Sequence, residues 1–239
     1  IGPGLTYAYD QRDLLTDVYK GSGGTQTHTH IDYDQAGRKT GLIDPDMGTW
    51  AYDYDAVGNL IGQTDTRTCE TILACDNLNR LTGKSFSGPG ACNTTPDVAY
   101  FFDDYDDFPG HTPVEDHPIG RRTGMDNTSD RTLWEYDARG RVTTEAKTLD
   151  GTTYTTHWSY NSADQPLTMT YPDGEVLTYE TLSDGNLSSM RNASNFYYLS
   201  SSRYDEAGRT KELKLGDNLL TKTYNYYDWT TTANGGRLN

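Results

Sequence analysis

The sequence predicts an all-β protein made of tandem antiparallel β-hairpins, and three patterns in its 239 residues support this prediction. A tyrosine followed by aspartate recurs about ten times at a period of roughly 21 residues, a spacing typical of repeat architectures. The fourth residue after each clear tyrosine is Gly, Asn or Asp, the types that tolerate positive φ. Stretches such as 49–54 and 154–160 alternate Thr, Tyr and Trp with the period of two expected for half-buried strands. We therefore expect residues 1–239 to form a single array, in which the hairpins stack into a continuous antiparallel sheet.

Each copy of the motif predicts one tight turn. The clear copies begin at Tyr9, Tyr33, Tyr54, Cys75, Tyr136, Tyr160 and Tyr204, and weaker copies begin at Phe102, Tyr179 and Tyr227. The aspartate occupies the first position of the turn, where its carboxylate can accept a hydrogen bond from the backbone N–H two residues on. A type I turn followed by a left-handed residue then requires Gly, Asn or Asp three positions later. The predicted structural turn residues are Asp10, Asp34, Gly37, Asp55, Gly58, Asp76, Asn79, Asp137, Gly140, Asp205 and Gly208.

A basic residue often follows the left-handed position and starts the return strand. It is an arginine at positions 38, 80, 141 and 209. We interpret it as a solvated or cross-strand partner of the turn aspartate, with a ligand contact as the alternative. The next residue along, such as Leu81 or Val142, faces the opposite side of the strand and is expected to enter the core.

Charge and composition exclude several classes of protein. The chain has 20 Lys and Arg against 35 Asp and Glu, a formal charge of -15, which argues against nucleic-acid binding and against docking on anionic membranes. No apolar run approaches the roughly 18–20 residues that span a bilayer, so no membrane insertion is expected. Although only 33% of the residues are hydrophobic, the 19 Tyr, 5 Phe and 4 Trp supply apolar surface through their rings. The composition therefore favours a folded chain over a disordered one.

The tandem motif Tyr-Asp-x-x-Gly-Arg, followed by Leu, Val or Thr, resembles the YD-repeat or rearrangement-hotspot (RHS) family of extracellular bacterial type over nearly the whole chain. The resemblance implies that the stacked hairpins form a continuous curved, spiralling sheet. This sheet would be the wall of a hollow shell or tube within a large secreted or cell-surface protein. The chain would then be a non-catalytic structural segment of such a protein, a shell wall or an extracellular fibre. The family's shell-closing protease-like segment, which ends near Asp-Pro-x-Gly, is not found, because the similar stretch Asp44–Gly48 lies too early in the chain. No autoproteolytic residue carries over.

Two alternative functions stay open at this point. The chain could be the wall of a cocoon that encapsulates a C-terminal toxin beyond Asn239, or a carbohydrate-binding and adhesion module that uses exposed Tyr and Trp. No nucleophile-elbow, zinc-protease, phosphate-loop or dinucleotide motif occurs, and nothing selects a pair of carboxylates for glycoside hydrolysis, so no enzyme is expected. The expected partners are further repeats or identical chains joined at open sheet edges, an enclosed toxin, or a surface glycan.

Three cysteines are present. Cys69 and Cys92 lie about one repeat apart, which places them at similar heights on neighbouring hairpins, and we predict a disulfide between them. Such a bond would fit an oxidising, extracellular setting. Cys75 occupies the tyrosine position of its repeat and is expected to be a buried free thiol. The alternative is that all three thiols are reduced.

An irregular acidic insertion, residues 104–118, interrupts one repeat. The carboxylates of Asp103, Asp104, Asp106 and Asp107 could bind Ca²⁺, which takes six to eight hard oxygen ligands. The alternatives are a solvated loop held extended by charge repulsion, a partner-binding loop, or a transition-metal site that includes His111 and His117. No other cofactor is expected.

Overall fold

The all-β prediction is confirmed by the structure. A computed structural model describes residues 4–21, 26–108, 111–113, 117–127 and 129–226, and these residues contain nineteen β-strands, one short 3-10 helix and no α-helix. The helix is Gly90–Thr94. The strands are β1 (Leu5–Tyr9), β2 (Leu15–Lys20), β3 (Thr27–Tyr33), β4 (Lys39–Asp44), β5 (Gly48–Tyr54), β6 (Leu60–Thr64), β7 (Glu70–Cys75), β8 (Leu81–Ser87), β9 (Val98–Phe102), β10 (Arg122–Asp126), β11 (Asp130–Tyr136), β12 (Val142–Leu149), β13 (Thr152–Tyr160), β14 (Pro166–Thr170), β15 (Val176–Thr181), β16 (Leu187–Asn192), β17 (Tyr197–Tyr204), β18 (Thr210–Leu215) and β19 (Leu220–Thr223).

Some predicted features lie outside the described residues. Among them are the copy that begins at Tyr227 and residues 109–110 and 114–116 of the acidic insertion. None of the described residues belongs to a helix long and apolar enough to cross a membrane.

The chain divides into two compact units, and each is a meander of consecutive antiparallel strands. The first unit is Ile1–Phe101 with Gly124–Arg131, and the second is Phe102–Thr123 with Thr132–Asn239. In the first unit each strand from β1 to β8 pairs with its successor in the chain. In the second unit the same holds from β12 to β18. The expectation of one array through residues 1–239 stays a prediction.

The core of each unit is thin and contains few fully buried apolar side chains. Among the described residues, Leu42 is buried in the first unit, and Phe108, Leu133, Leu177 and Leu199 are buried in the second. Most ladder positions are half-buried, and along β5 exposure alternates residue by residue as the period of two requires. Leu81 and Val142, which were expected to enter the core, are also only half-buried. The stability of each unit must therefore depend on polar and aromatic contacts between hairpins as well as on buried apolar surface.

Successive turns lie at alternate ends of the strands, because consecutive strands run antiparallel. One end carries the Tyr-Asp turns, which we call the YD turns: 10–14, 34–38, 55–59, 76–80, 137–141, 161–165 and 205–209. The turns at the other strand ends, such as 44–48, 65–69 and 192–196, we call the opposite turns.

Candidate functional site

The seven YD turns share one backbone geometry. The N–H of the first residue donates to the carbonyl of the fifth, at 2.9 Å from Asp34 to Arg38, and the N–H of the fourth donates back to the carbonyl of the first, at 3.1 Å from Gly37 to Asp34. The fourth residue has positive φ in all seven: 61° at Asp13, 79° at Gly37, 100° at Gly58, 61° at Asn79, 83° at Gly140, 64° at Asp164 and 75° at Gly208. Only residues that tolerate this conformation occupy the position, so the turn determines which residue types the sequence can use there.

The turn aspartate is held by three hydrogen bonds. Asp76 Oδ1 accepts from the backbone N–H of Leu78 at 2.8 Å and of Arg80 at 2.9 Å, and its Oδ2 accepts from Arg80 Nε at 2.7 Å. The bond from the backbone N–H of the fifth residue is the largest cause of the lowered pKa of Asp34, Asp76 and Asp205, and the guanidinium of the same residue lowers the pKa further. These carboxylates are ionised and engaged in the turn, as the sequence predicts.

The tyrosines of five YD motifs reach back to the preceding repeat. Tyr54 donates its phenolic O–H to the carbonyl of Lys39 at 2.8 Å, and Tyr160 donates to that of Val142 at 2.8 Å. In each case the acceptor is the residue directly after the preceding turn. The motif tyrosines Tyr33, Tyr136 and Tyr204 make the same bond, and so does Tyr226, the residue before the last motif. Sequence reasoning missed this contact, because a backbone carbonyl as acceptor leaves no mark in the sequence.

The arginine at the fifth position reaches forward to the next repeat. Arg141 Nη1 donates to the carbonyl of Asn161 at 2.8 Å, and its guanidinium lies 4.7 Å from the centroid of the Tyr160 ring. Arg38 makes the same two contacts, with Asp55 and Tyr54. The predicted pairing with the turn aspartate is also present. We call the backward tyrosine bond and the forward arginine contact together the YD clamp.

One repeat replaces the clamp with amides. Cys75 stands in the tyrosine position, and a thiol is a poor hydrogen-bond donor. There Asn59 Nδ2 donates to Asn79 Oδ1 at 2.8 Å, which joins the two successive turns directly. Cys75 is free, and it is half-buried, where full burial was expected.

The disulfide joins two of the opposite turns. Cys69 and Cys92 are bonded, with their Cα atoms 5.6 Å apart. Cys69 ends the turn 65–69, in which Asp65 Oδ1 accepts from the Cys69 N–H at 3.0 Å and Thr68 has a φ of 63°. This turn copies the YD geometry, but the sequence analysis missed it because a β-branched threonine occupies the left-handed position. Cys92 lies on the 3-10 helix between β8 and β9.

The acidic insertion sits inside a YD turn. The N–H of Asp103 donates to the carbonyl of Arg121 at 3.1 Å, which reproduces the bond that closes the ordinary turns. Two aromatic residues of the insertion pack within the second unit: Phe108 is 3% exposed, and Tyr105 donates its O–H to the carbonyl of Trp134 at 3.1 Å. The side chains of Asp104, Asp106 and Asp107 are exposed. The alternative of a solvated loop therefore stays a prediction for the acidic side chains.

The carboxylates proposed for Ca²⁺ form turn bonds. Asp103 Oδ1 accepts from the Gly120 N–H at 2.6 Å, and Asp104 Oδ1 accepts from the Asp106 N–H at 3.2 Å. Asp107 follows on the same loop. The calcium site stays a prediction. His111 Nε2, offered for a transition metal, lies 3.0 Å from the buried carboxylate of Glu135.

A different group gathers potential metal ligands. In the part of the chain that the structure describes, Asp17, His28 and His30 are the one set of three acidic, histidine or cysteine side chains whose ligand atoms all lie within 4.8 Å of one another. The hydrogen bond from His30, and then that from His28, lowers the pKa of Asp17, and the bond to Asp17 raises the pKa of His30. Sequence analysis missed this cluster. The available signal was His-Thr-His-Ile-Asp at 28–32, which places alternate side chains on one face of a strand.

A tyrosine-lined cleft of about 630 Å³ lies on the second unit. Tyr154, Tyr171 and Tyr198 border it and are 47%, 37% and 38% exposed. Tyr198 donates its O–H to Glu175 Oε1 at 2.7 Å, and this bond raises the pKa of the phenol.

Comparison with known proteins finds repeats of the same kind. The family model described as RHS Repeat matches residues 136–176. No curated protein matches the chain. A crystal structure of TcdB2-TccC3 without the hypervariable C-terminal region aligns with a TM-score of 0.68 at 15% identity, over 98% of this chain and 14% of that one. A further TcdB2-TccC3 crystal structure gives a TM-score of 0.63 at 16% identity, over 98% and 14%.

A third solved structure, the Tc holotoxin pore of Photorhabdus luminescens, gives a TM-score of 0.61 at 16% identity, over 98% of this chain and 13% of that one. At these identities the likeness is one of fold, and it confirms the fold class. The chain spans about one seventh of the length of these structures.

Proposed function

Because this chain carries RHS repeats, we propose that it is a non-catalytic wall segment of a large RHS-repeat shell. The YD clamp is the observation that supports this proposal. Its Tyr and Arg contacts join successive repeats at several points along the described chain. A structure whose repeats are bound to their neighbours is suited to build an extended surface.

The recurring polar side chains support a scaffold in preference to an enzyme. A catalytic carboxylate needs a proton or a substrate to act on, whereas the turn aspartates accept hydrogen bonds from their own turn. The lowered pKa values of Asp34 and Asp205 suit a permanently charged turn residue and do not suit a general acid.

The proposal also includes a molecule that the shell encloses. One of the similar structures is described as lacking a hypervariable C-terminal region, and another is a toxin pore. By analogy with these, we propose that further repeats complete the shell and that it encloses a C-terminal toxin. We further propose an extracellular or cell-surface location, which the Cys69–Cys92 disulfide supports.

Cryo-electron microscopy of the full-length protein tests the wall assignment. The expected result is a hollow particle in which residues 4–226 form part of the wall and the YD turns of successive repeats lie side by side. Density for a polypeptide inside the particle would support the cocoon. A solid globule, or a fibre in which these residues are buried on both faces by other chains, would overturn the wall assignment.

A second function, glycan binding, is favoured by the tyrosine cleft alone. Three half-exposed rings beside the Glu175 carboxylate offer stacking surfaces and a hydrogen-bond acceptor, the combination that sugar rings require. A glycan array on the intact chain tests this. Binding that is lost in Tyr198→Ala and kept in Tyr7→Ala, a matched exposed tyrosine on β1, would support adhesion, and no binding across the array would remove it.

A further inference from the structure

Strands β2 and β3 bring two histidines and one aspartate together on one face of the first unit. Asp17 on β2 is the cross-strand partner of His30 on β3. His28 stands two residues before His30, so both imidazoles project from the same face. This arrangement depends on the register between two strands and has no part in the YD clamp.

Both imidazoles point at a single carboxylate oxygen. His28 Nε2 lies 2.8 Å from Asp17 Oδ1, and His30 Nδ1 lies 2.7 Å from the same atom. In a tetrahedral zinc site with bonds of about 2.0–2.2 Å, the ligand atoms stand roughly 3.3 Å apart. Each imidazole nitrogen already lies this close to the Asp17 oxygen, and all three ligand atoms lie within 4.8 Å of one another. An ion that replaces the shared protons therefore needs only modest side-chain rotations.

The surroundings of the two imidazoles resemble the outer layer of a metal site. His30 Nε2 lies 3.2 Å from Asp32 Oδ1, so the ring nitrogen that faces away from Asp17 has a carboxylate partner. Metal-ligating histidines usually donate their second N–H to such a group, which fixes the tautomer and the ring orientation. The ring of His28 stacks on Tyr19, with centroids 4.4 Å apart and planes within 6°, which holds it in place.

We propose that Asp17, His28 and His30 form a zinc-binding site that bridges β2 and β3, with Asp32 as a positioning residue. Two imidazoles and one carboxylate suit Zn²⁺, whereas Ca²⁺ and Mg²⁺ prefer sets of oxygen ligands. Three protein ligands leave one tetrahedral position for water. The side chains of His28 and His30 are 45% and 36% exposed, which gives an ion direct access from solvent.

Zinc bound at this site would tie two strands together. Because the ligands come from both partners of one hairpin, the bound ion favours the paired strands over the unfolded chain. Thermal stability should therefore rise with zinc concentration, as for any ligand that binds the folded state alone.

Titration of the intact, untagged and metal-free chain with ZnCl₂ in a calorimeter tests the proposal. One ion per chain is expected. His28→Ala and His30→Ala should each weaken zinc binding by well over tenfold, and Asp32→Asn, which acts through His30, should weaken it by about tenfold. The matched control is His157→Gln, an exposed histidine on β13, which should leave zinc affinity unchanged.

Cobalt substitution gives a second, spectroscopic readout. The visible spectrum of the Co²⁺-loaded protein should show the intense bands of four-coordinate cobalt, and His30→Ala should remove them. The proposed site would be contradicted if the unmodified chain and the His28→Ala/His30→Ala double variant bound zinc with equal affinity. It would also be contradicted if the spectrum remained that of hydrated cobalt.

Discussion

The two ends of the hairpins are built by different means. At one end the seven YD turns repeat a single geometry, with an aspartate or, at position 161, an asparagine, followed by a left-handed fourth residue. Contacts to adjacent repeats also lie at this end. At the other end the connections vary: they include a tight turn at Asp44–Gly48, a YD-like turn at 65–69, and a longer passage through the helix Gly90–Thr94. The uniform end is joined by the YD clamp, and the variable end of the first unit carries the disulfide.

The difference shows which contacts can recur in the same form from one repeat to the next. A turn that recurs in sequence can supply its own neighbour contacts, because Arg38 and Arg141 each find the same ring and carbonyl one repeat on. Loops of unequal length cannot do this, so a covalent bond between Cys69 and Cys92 holds two of them. Acid and the substitutions described next each weaken either the YD turns with their clamp or the disulfide.

Acid should have the largest effect, because it acts together on all the YD turns that begin with an aspartate. The folded pKa values of Asp34, Asp76 and Asp205 lie below the ordinary value of 3.8, so the folded chain binds fewer protons than the unfolded chain near that pH. The stabilisation is fully present above pH 3.8 and is lost as the pH falls through the folded values. Thermal unfolding, followed by circular dichroism at a series of pH values from 7 to 2, measures this effect. The midpoint temperature of unfolding should begin to fall once the pH is below about 4. A midpoint that stays constant down to pH 2 would show that the turn carboxylates contribute nothing.

Removal of the disulfide should have the next largest effect. The bond closes a loop with a sequence separation of 23, and opening it should lower the free energy of unfolding by about 3 kcal/mol. Urea unfolding of Cys69→Ser/Cys92→Ser measures this loss. Cys75→Ser is the matched control and should change stability by less than about 1 kcal/mol, since its thiol is free and half-buried. Equal losses in both variants would assign the effect to the thiols and not to the bond.

Asp137→Ala should be more damaging than Asp137→Asn. Alanine removes the acceptor for the N–H groups of Arg139 and Arg141, at 2.9 and 3.0 Å, and should cost about 1–2 kcal/mol of unfolding free energy. Asparagine keeps an acceptor oxygen, and Asn161 already serves this function in the next YD turn. Urea unfolding compares the two variants, and an asparagine variant as unstable as the alanine variant would show that charge, and not the turn bonds, dominates.

Tyr160→Phe should have the smallest effect. It removes the hydrogen bond to the Val142 carbonyl but keeps the ring beneath Arg141, so a loss of about 1 kcal/mol is expected. Tyr154→Phe, on the same strand but in the exposed cleft, is the control and should have almost no effect. If both variants lose the same amount, the backward bond adds nothing specific.

The sequence predicted what a single turn requires and missed what depends on its neighbours. The left-handed positions were visible at Gly37 and Asn79, because few residue types tolerate that conformation. The acceptor of the Tyr54 hydroxyl was not visible, because it is a carbonyl on another strand. The cluster of Asp17 with His30 was missed for a similar reason, since it depends on the register between β2 and β3.

A double-mutant cycle between neighbouring repeats tests the YD clamp most directly. Arg141→Met, Tyr160→Leu and the double variant isolate the contact between the guanidinium and the ring, 4.7 Å apart. A coupling free energy of about 0.5–1 kcal/mol is predicted for unfolding in urea. If the two substitutions add within about 0.3 kcal/mol, adjacent repeats are not held together by the clamp, and the account of the wall is contradicted.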